Sequence, residues 1–139
     1  MKPGSGVRMI TYNNNRIAVS KKINSTPERV WDLLTDTAKW SQWGPSVRAV
    51  ECEHRFSQPL CTGYVRTLLG IRLPFIITSF QHLEYWNWRV GNLEATGHRL
   101  VRHPDGCTVI FDMPWWAFPY TLICLLALNR IAKLSRSIE

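Results

Sequence analysis

Residues 17–50 decide the fold, and they read IAVSKKINSTPERVWDLLTDTAKWSQWGPSVRAV. The segment opens with alternating apolar and polar residues, a pattern that favours a half-buried strand. Thr26 and Pro27 then stand where a helix N-cap and first helical residue belong, and Val30 and Leu33 recur at helical spacing. A Trp-rich second turn follows and stops at a Gly-Pro pair. The segment therefore predicts a strand, a helix, a short helix and another strand.

Length and composition predict one compact domain. The chain has 139 residues, of which 45% are hydrophobic and 19% charged, so extensive disorder is not expected. The start, MKPGSGVRMITYNNN, predicts a flexible leader over residues 1–14 before a single domain over residues 15–139. That leader lacks the apolar stretch of about 7–15 residues found in secretory signals, and no run reaches the ~18 apolar residues of a membrane span. We therefore expect a cytoplasmic protein.

Charge and cysteine patterns argue against several function classes. The net charge is +7, but the 17 Lys and Arg residues are scattered rather than grouped, so we expect a solvated basic surface and no nucleic-acid partner. The four cysteines, at 52, 61, 107 and 124, lack the Cys-x-x-Cys spacing of zinc or thioredoxin-like sites. We therefore expect four unpaired thiols, no metal and no cofactor.

The rest of the chain reads as an antiparallel meander followed by a helix. Residues 47–54, 62–69, 72–83, 86–90, 94–103 and 108–113 are rich in strand-forming residues and are separated by turn residues. The final run, from Pro119 to Glu139, is predicted to be helical. Its apolar stripe at three-to-four spacing consists of Ile123, Ala127, Ile131, Leu134 and Ile138.

The first half of that helix is apolar nearly all round. Leu122, Leu125 and Leu126 fall beside or off the stripe that would face the sheet. A helix that is apolar on every side needs a second burial partner. A ligand, a flanking loop, a second subunit in a homodimer and a transient membrane contact all remain open for that role.

Four stretches resemble the START-like superfamily, also described as SRPBCC or the polyketide cyclase/dehydrase and lipid-transport group. They are STPERVWDLLTD at 25–36, WSQWGPSVRAVE at 40–51, LEYWNWRV at 83–90 and ATGHRL at 95–100. The resemblance implies an α+β helix-grip fold, in which a curved antiparallel sheet of about seven strands wraps around a long C-terminal helix. Two short helices follow the first strand. It also implies a hydrophobic cavity for lipids, polyketides, hormones or quinones. The superfamily includes carriers, cyclases and hydrolases, so fold alone does not fix function.

His98 is one of two candidate catalytic residues. It lies mid-strand, on the same face as Thr96 and Leu100. A histidine that faces a cavity can act as a general acid or base near neutral pH. The alternative is a histidine on the solvated face, or one bonded to a neighbouring strand.

Asp112 is the other candidate. Phe111 and Met113 flank it in an apolar strand, which gives the carboxylate a plausible buried setting. Burial would raise its pKa and let it donate a proton. The alternative is a structural ion pair with Arg89 or Arg99.

Aromatic residues are the expected cavity wall, because pockets for apolar ligands combine such walls with few polar anchors. The candidates are the aromatic residues Tyr64, Phe75, Trp86, Trp88, Trp115, Trp116, Phe118 and Tyr120, together with the aliphatic Ile123. Two functions fit these features. One is binding, sequestration or transport of a lipid, polyketide or aromatic metabolite. The other is a polyketide cyclase or dehydratase using His98 or Asp112. The absence of a convergent polar constellation favours the first.

Overall fold

The computed structural model describes residues 8–137. Within them, eight antiparallel strands form one curved sheet in the order β1-β2-β8-β7-β6-β5-β4-β3. The strands are β1 (Arg8–Asn13), β2 (Arg16–Ile23), β3 (Val47–Cys52), β4 (Thr62–Thr67), β5 (Arg72–Gln81), β6 (Tyr85–Val90), β7 (Leu93–His103) and β8 (Gly106–Pro114). The helices are α1 (Pro27–Thr35), α2 (Trp40–Trp43) and α3 (Thr121–Ser137), with 3₁₀ turns at Thr37–Lys39 and Trp115–Tyr120.

The helix-grip prediction is confirmed, with one strand more than the expected seven. The additional strand is β1, so the prediction of a flexible leader is wrong for residues 8–13. Asn14 and Asn15 have φ values of 53° and 61°. Asparagine tolerates these angles, and a two-residue turn with both φ positive joins hairpin strands without splaying them. The asparagine run is thus a hairpin turn. Residues 1–7 lie outside the described residues.

Local capping sets the start of α1. The Thr26 hydroxyl accepts a hydrogen bond from the Arg29 backbone N–H at 3.2 Å, and Pro27 occupies the first helical position. Both features match the sequence prediction. They satisfy one free N–H of the helix and remove another. The apolar face of α1 is then free to pack in the core.

The two tryptophans of α2 attach it to α1. Trp40 donates its indole N–H to the carbonyl of Leu34 at 2.9 Å, and Trp43 donates to the carbonyl of Leu33 at 2.7 Å. Both indoles are buried. The hydrogen bonds use carbonyls at the end of α1 that have no partner within the helix. The Trp pair of the sequence therefore anchors the short helix beneath the sheet.

The long helix α3 packs on the concave face of the sheet, with a buried stripe that is shifted from the predicted one. Ala127 and Ile131 are buried as expected, whereas Ile123 and Leu134 are only half-buried. The stripe is completed by Cys124, Leu128, Ala132 and Ser135. Ile138 lies outside the described residues. Pro119 belongs to the 3₁₀ turn Trp115–Tyr120, so α3 begins at Thr121, two residues later than predicted.

The segment Trp115–Arg136 is long and apolar enough to cross a membrane by length and composition alone, with a mean hydropathy of 1.3 in its most apolar window. The mostly buried core helix of a soluble protein passes the same test, whereas 33% of this window is buried within the domain. Leu128 and Ile131 are fully buried against the rest of the domain. The hydropathy is therefore weak evidence for a membrane span.

Candidate functional site

An apolar cavity of about 530 Å³ lies between the concave face of the sheet and the Trp115–Tyr120 turn. Its apolar wall includes Val65, Leu73, Trp88, Val90, Met113 and Trp116. The polar side chains on it are Ser46, Thr67, Glu94, Thr96 and Tyr120. A volume in this range suits a small organic ligand.

A second, much smaller cavity of about 40 Å³ adjoins the first. Ser46, Trp88, Thr96 and Tyr120 line both, so it forms an inner recess of the larger cavity. Trp40, Trp86 and Phe111 are among the residues around it. At this volume the recess can hold water or a few atoms of a ligand, but not a whole ligand. A ligand in the outer cavity would therefore reach it with one end.

Five of the nine candidate wall residues border these two cavities. Trp88, Trp116 and Tyr120 line the larger one. Trp86 and Ile123 line the recess. Whether a ligand contacts them stays a prediction.

The remaining candidates lie elsewhere. Tyr64 is on the outer face of the sheet, with the Arg72 guanidinium 3.6 Å from the centre of its ring. Alternation along β4 causes this, since its neighbour Val65 faces inward. Trp115 and Phe118 are exposed and do not line the cavity. These three residues do not line the apolar cavity, and whether any of them contacts a ligand stays a prediction.

Phe75, the last candidate, is a core residue. Its ring packs against Trp40 and Trp88, with centroid distances of 5.5 and 5.6 Å. It does not line the apolar cavity. Phe75 therefore packs against Trp88 without being part of the cavity wall.

His98 is buried, and both of its ring nitrogens have partners. Nδ1 lies 3.2 Å from the carbonyl oxygen of Trp86. Because a carbonyl only accepts, this hydrogen bond assigns the ring proton to Nδ1. Nε2 then accepts from the Thr96 hydroxyl at 3.2 Å, and that hydroxyl oxygen accepts the Trp88 indole N–H at 3.3 Å. The arrangement holds the ring as a neutral hydrogen-bonding bridge between β6 and β7.

The electrostatic setting of His98 agrees with that description. Burial lowers its pKa from 6.5 to about 4, outweighing the opposing effects of the Trp86 carbonyl and the Asp112 charge. A general acid or base works best with a pKa near the working pH. At neutral pH this imidazole is therefore uncharged and has no free nitrogen.

Asp112 does not have the buried setting predicted for it. Its side chain is 41% exposed and pairs with Arg16 at 3.4 Å, rather than with Arg89 or Arg99. Strand alternation explains the difference, because the flanking apolar residues point inward and leave Asp112 outward. His98 is opposite Phe111 in the register, whereas Asp112 is opposite Gly97. The two candidate catalytic residues therefore face opposite sides of the sheet.

Ser46 and Tyr120 form a polar pair that sequence reasoning missed. Their hydroxyl oxygens are 2.5 Å apart where the cavity meets its recess. Loss of solvent is the main reason that the pKa of Tyr120 is raised. Both groups are thus neutral and can donate to or accept from a ligand. They are 74 positions apart in the chain, and no local motif marks Ser46.

Trp86 adds an unpaired donor beside the recess. Its side chain is fully buried, and its indole N–H has no hydrogen-bond partner within the described residues. By contrast, Trp40, Trp43 and Trp88 each donate to an oxygen. An unpaired buried donor costs about 1–3 kcal/mol. An acceptor atom in the recess would remove that cost if it reached the indole nitrogen.

Solved structures from several bacteria share this fold. Protein MLL2253 of Mesorhizobium loti has a TM-score of 0.72 at 10% identity, over 89% of this chain and 98% of that one. Protein Ms6760 of Mycobacterium smegmatis has a TM-score of 0.66 at 14% identity, over 97% and 99% of the two chains. A protein from Rhodobacter sphaeroides has a TM-score of 0.69 at 14% identity, over 96% and 100%. At these identities the likeness shows the fold alone.

No protein of curated function matches the sequence. The family model described as "Polyketide cyclase / dehydrase and lipid transport" matches residues 15–120. That stretch runs from just before β2 to the 3₁₀ turn Trp115–Tyr120, and it therefore contains most of the cavity wall. The chain belongs to the polyketide cyclase/dehydrase and lipid-transport family.

Proposed function

We propose that the protein binds an apolar small molecule in the 530 Å³ cavity and carries or sequesters it without converting it. The observation that carries this proposal is the cavity itself, whose wall is mainly aliphatic and aromatic. The family description includes lipid transport, which is consistent with such a ligand.

The cavity indicates what kind of ligand it would favour. Removing apolar surface from water contributes about 25 cal/mol per Å², so shape and apolar contact would dominate the affinity. The Ser46–Tyr120 hydroxyl pair and Thr96 offer hydrogen bonds near the recess. We therefore expect an elongated or aromatic molecule with a single polar end directed toward them.

A cyclase or dehydratase is the second candidate, because the family description names those activities. His98 supports it by position, since it borders the recess. The chemistry of His98 argues against catalysis, because its pKa is about 4 and both ring nitrogens are hydrogen-bonded. Asp112 cannot assist from the other face of the sheet. Carriage is therefore the better-supported function.

Native mass spectrometry of the protein from its own host tests the proposal directly. We expect a bound apolar molecule whose mass and chromatographic retention after extraction do not change when the complex is incubated, because a cyclisation without loss of water would change only the retention. Time-dependent conversion of that molecule would establish the enzyme instead.

A cavity-filling variant gives a second test. Ala117 lines the cavity, so Ala117→Trp should abolish binding of a fluorescent probe such as 1-anilinonaphthalene-8-sulfonate. The matched control is Ala49→Trp, because Ala49 is exposed on β3 and does not line the cavity. Equal probe binding by the two variants would contradict the proposed site.

A further inference from the structure

Exposed apolar side chains follow one another along the chain beside the cavity wall, of which Trp116 is itself part. Trp115, Trp116, Phe118, Leu122 and Leu126 are each between 42% and 73% exposed. They lie on the 3₁₀ turn and the first half of α3, and we call them the docking face. Exposed apolar groups of this size, when adjacent, mark interaction surfaces.

A second apolar group lies at the same end of the sheet. Leu68, Leu69 and Ile71 form the tip between β4 and β5, and each is more than half exposed. In an antiparallel sheet of this order, the β4–β5 turn, the β6–β7 turn and the C-terminal end of β8 all lie at the same end of the sheet. The 3₁₀ turn of the docking face follows directly from β8. The cavity extends to this end of the sheet as well, because Thr67 and Trp116 are both part of the cavity wall.

The charge distribution along α3 indicates what the docking face binds. Residues 113–138 contain no Asp or Glu. Leu122 and Leu126 point outward in the first half of the helix, and Lys133 and Arg136 are exposed in the second half. The exposed side of α3 is thus apolar and then basic. Such a surface suits an anionic bilayer, because burial of apolar area and attraction of basic groups to anionic lipids both strengthen binding.

We propose that the docking face binds the surface of an anionic lipid bilayer, with α3 parallel to it and the mouth of the cavity turned toward the lipid. The aromatic side chains would enter the headgroup boundary, where amphipathic rings are favoured. The basic half of α3 would contact lipid phosphates and carboxylates. The buried residues of α3, Leu128 and Ile131 among them, keep the helix in the domain, so the helix lies on the membrane and does not span it.

Binding to a bilayer is a separate claim from binding a ligand. Only the exchange of a ligand between cavity and membrane rests on the proposed function. Vesicle binding is measured with no ligand added, so the two claims fail separately. Ala95 on β7 also lines the cavity but is not part of the docking face. Ala95→Trp, which fills the cavity, should therefore leave vesicle binding within about twofold of wild type.

Sedimentation with phosphatidylcholine vesicles, with and without phosphatidylserine, tests the proposal. Wild-type protein should bind the serine-containing vesicles, and high salt should release it. The Trp115→Ala/Phe118→Ala double variant should bind on the order of tenfold more weakly. Lys133→Glu/Arg136→Glu should lose the preference for anionic vesicles. The control is Tyr64→Ala, which removes an exposed aromatic ring from the outer face of the sheet.

Three outcomes would overturn the proposal. One is failure of the wild-type protein to bind either vesicle. Another is equal binding to both vesicle types. The third is a dimer in sedimentation analysis that dissociates in the double variant, which would make the docking face a contact between two copies of the chain. Thermal unfolding of each variant identifies any that fail to fold, and single replacement of Leu122 by Ser then repeats the test.

Discussion

Trp86 and His98 face each other across β6 and β7 with nearly parallel rings, 3.9 Å between centroids and 19° between planes. The ring of Trp40 stacks on Trp86 as well, at 5.1 Å and 10°. Phe111 packs edge-on against the imidazole at 4.8 Å. These contacts exclude water from His98 and bury it as a neutral ring. The histidine that sequence reasoning selected for catalysis is thus part of the core beneath the cavity.

The burial of His98 predicts a pH-dependent stability. Its pKa is about 4 in the folded protein, against 6.5 ordinarily. Above pH 6.5 neither state binds the proton. As the pH falls from 6.5 to 4, the unfolded chain binds it and the folded protein does not, so stability is lost across that window. The shift corresponds to about 3 kcal/mol.

Urea unfolding at pH 7 and pH 4 measures this effect. We expect His98→Leu to remove about 3 kcal/mol of the difference between the two pH values, even if the variant is less stable throughout. The control is His54→Gln, because His54 is exposed. The same pH dependence in wild type and His98→Leu would show that the histidine is not buried as neutral imidazole.

Replacing tryptophans in the cavity wall should weaken ligand binding more than replacing the histidine. Trp88 and Trp116 both line the cavity, and loss of a large apolar contact costs about 1.5–3 kcal/mol. We therefore expect Trp88→Ala and Trp116→Ala to raise the dissociation constant of a hydrophobic probe at least tenfold. Fluorescence titration measures the change, and Trp116→Ala is the safer variant because that residue is half exposed.

Two comparisons make this titration decisive. Tyr64→Ala should leave probe affinity unchanged, since Tyr64 lies on the outer face. His98→Ala should have a smaller effect than either tryptophan variant. If His98→Ala alone impaired binding or turnover, the carrier function would be wrong.

Sequence reasoning succeeded where the signal is local. The cap at Thr26, the proline at the first helical position and the Gly-Pro stop after α2 each act within a few residues. These local signals predict the first strand, the two short helices and the strand that follows them. Together with the strand pattern of the later residues, they predict the fold class. The hairpin at Asn14 was missed because a polar run before a strand resembles a leader as much as a turn.

The site depends on relationships that a local pattern does not contain. Bulges interrupt the register of β5 with β6 between Ile77 and Ser79, and of β6 with β7 between Asn87 and Arg89. Because a slip of one residue turns a side chain to the other face, strand alternation alone does not show which aromatic rings point inward. The Ser46–Tyr120 pair joins a loop to the 3₁₀ turn. Neither residue predicts the other.

Gly63 is expected to be intolerant of any side chain. A Cβ atom there would overlap the backbone carbonyl of Glu51 and lie 2.9 Å from the Phe75 ring. The carbonyl belongs to β3 and cannot move without disturbing its pairing with β4. We expect Gly63→Ala to lower the free energy of unfolding by about 1–3 kcal/mol. Chemical denaturation checks this, with Thr62→Ala at the exposed neighbouring position as control; equal stability of the two variants would contradict it.

The last prediction concerns Cys52 and Cys61, whose sulfur atoms are 3.2 Å apart although both are free thiols. Cys52 is half exposed, whereas Cys107 and Cys124 are buried, with pKa values raised by burial to about 11 and 12. Cys61 is buried too, and burial raises its pKa to about 12, so a diazene oxidant such as diamide reaches this pair through Cys52. It takes one hydrogen from each thiol, leaving a disulfide and the hydrazine.

Thiol titration under denaturing, non-reducing conditions should count all four cysteines before diamide treatment and only Cys107 and Cys124 after it. In Cys52→Ser the count should not change with diamide, because Cys61 has lost its partner. Cys107→Ser is the matched control, and it should still lose the thiols of Cys52 and Cys61. Retention of every thiol by treated wild-type protein would show that the two sulfur atoms do not approach in solution. Loss of a pair before treatment would show that they are already bonded.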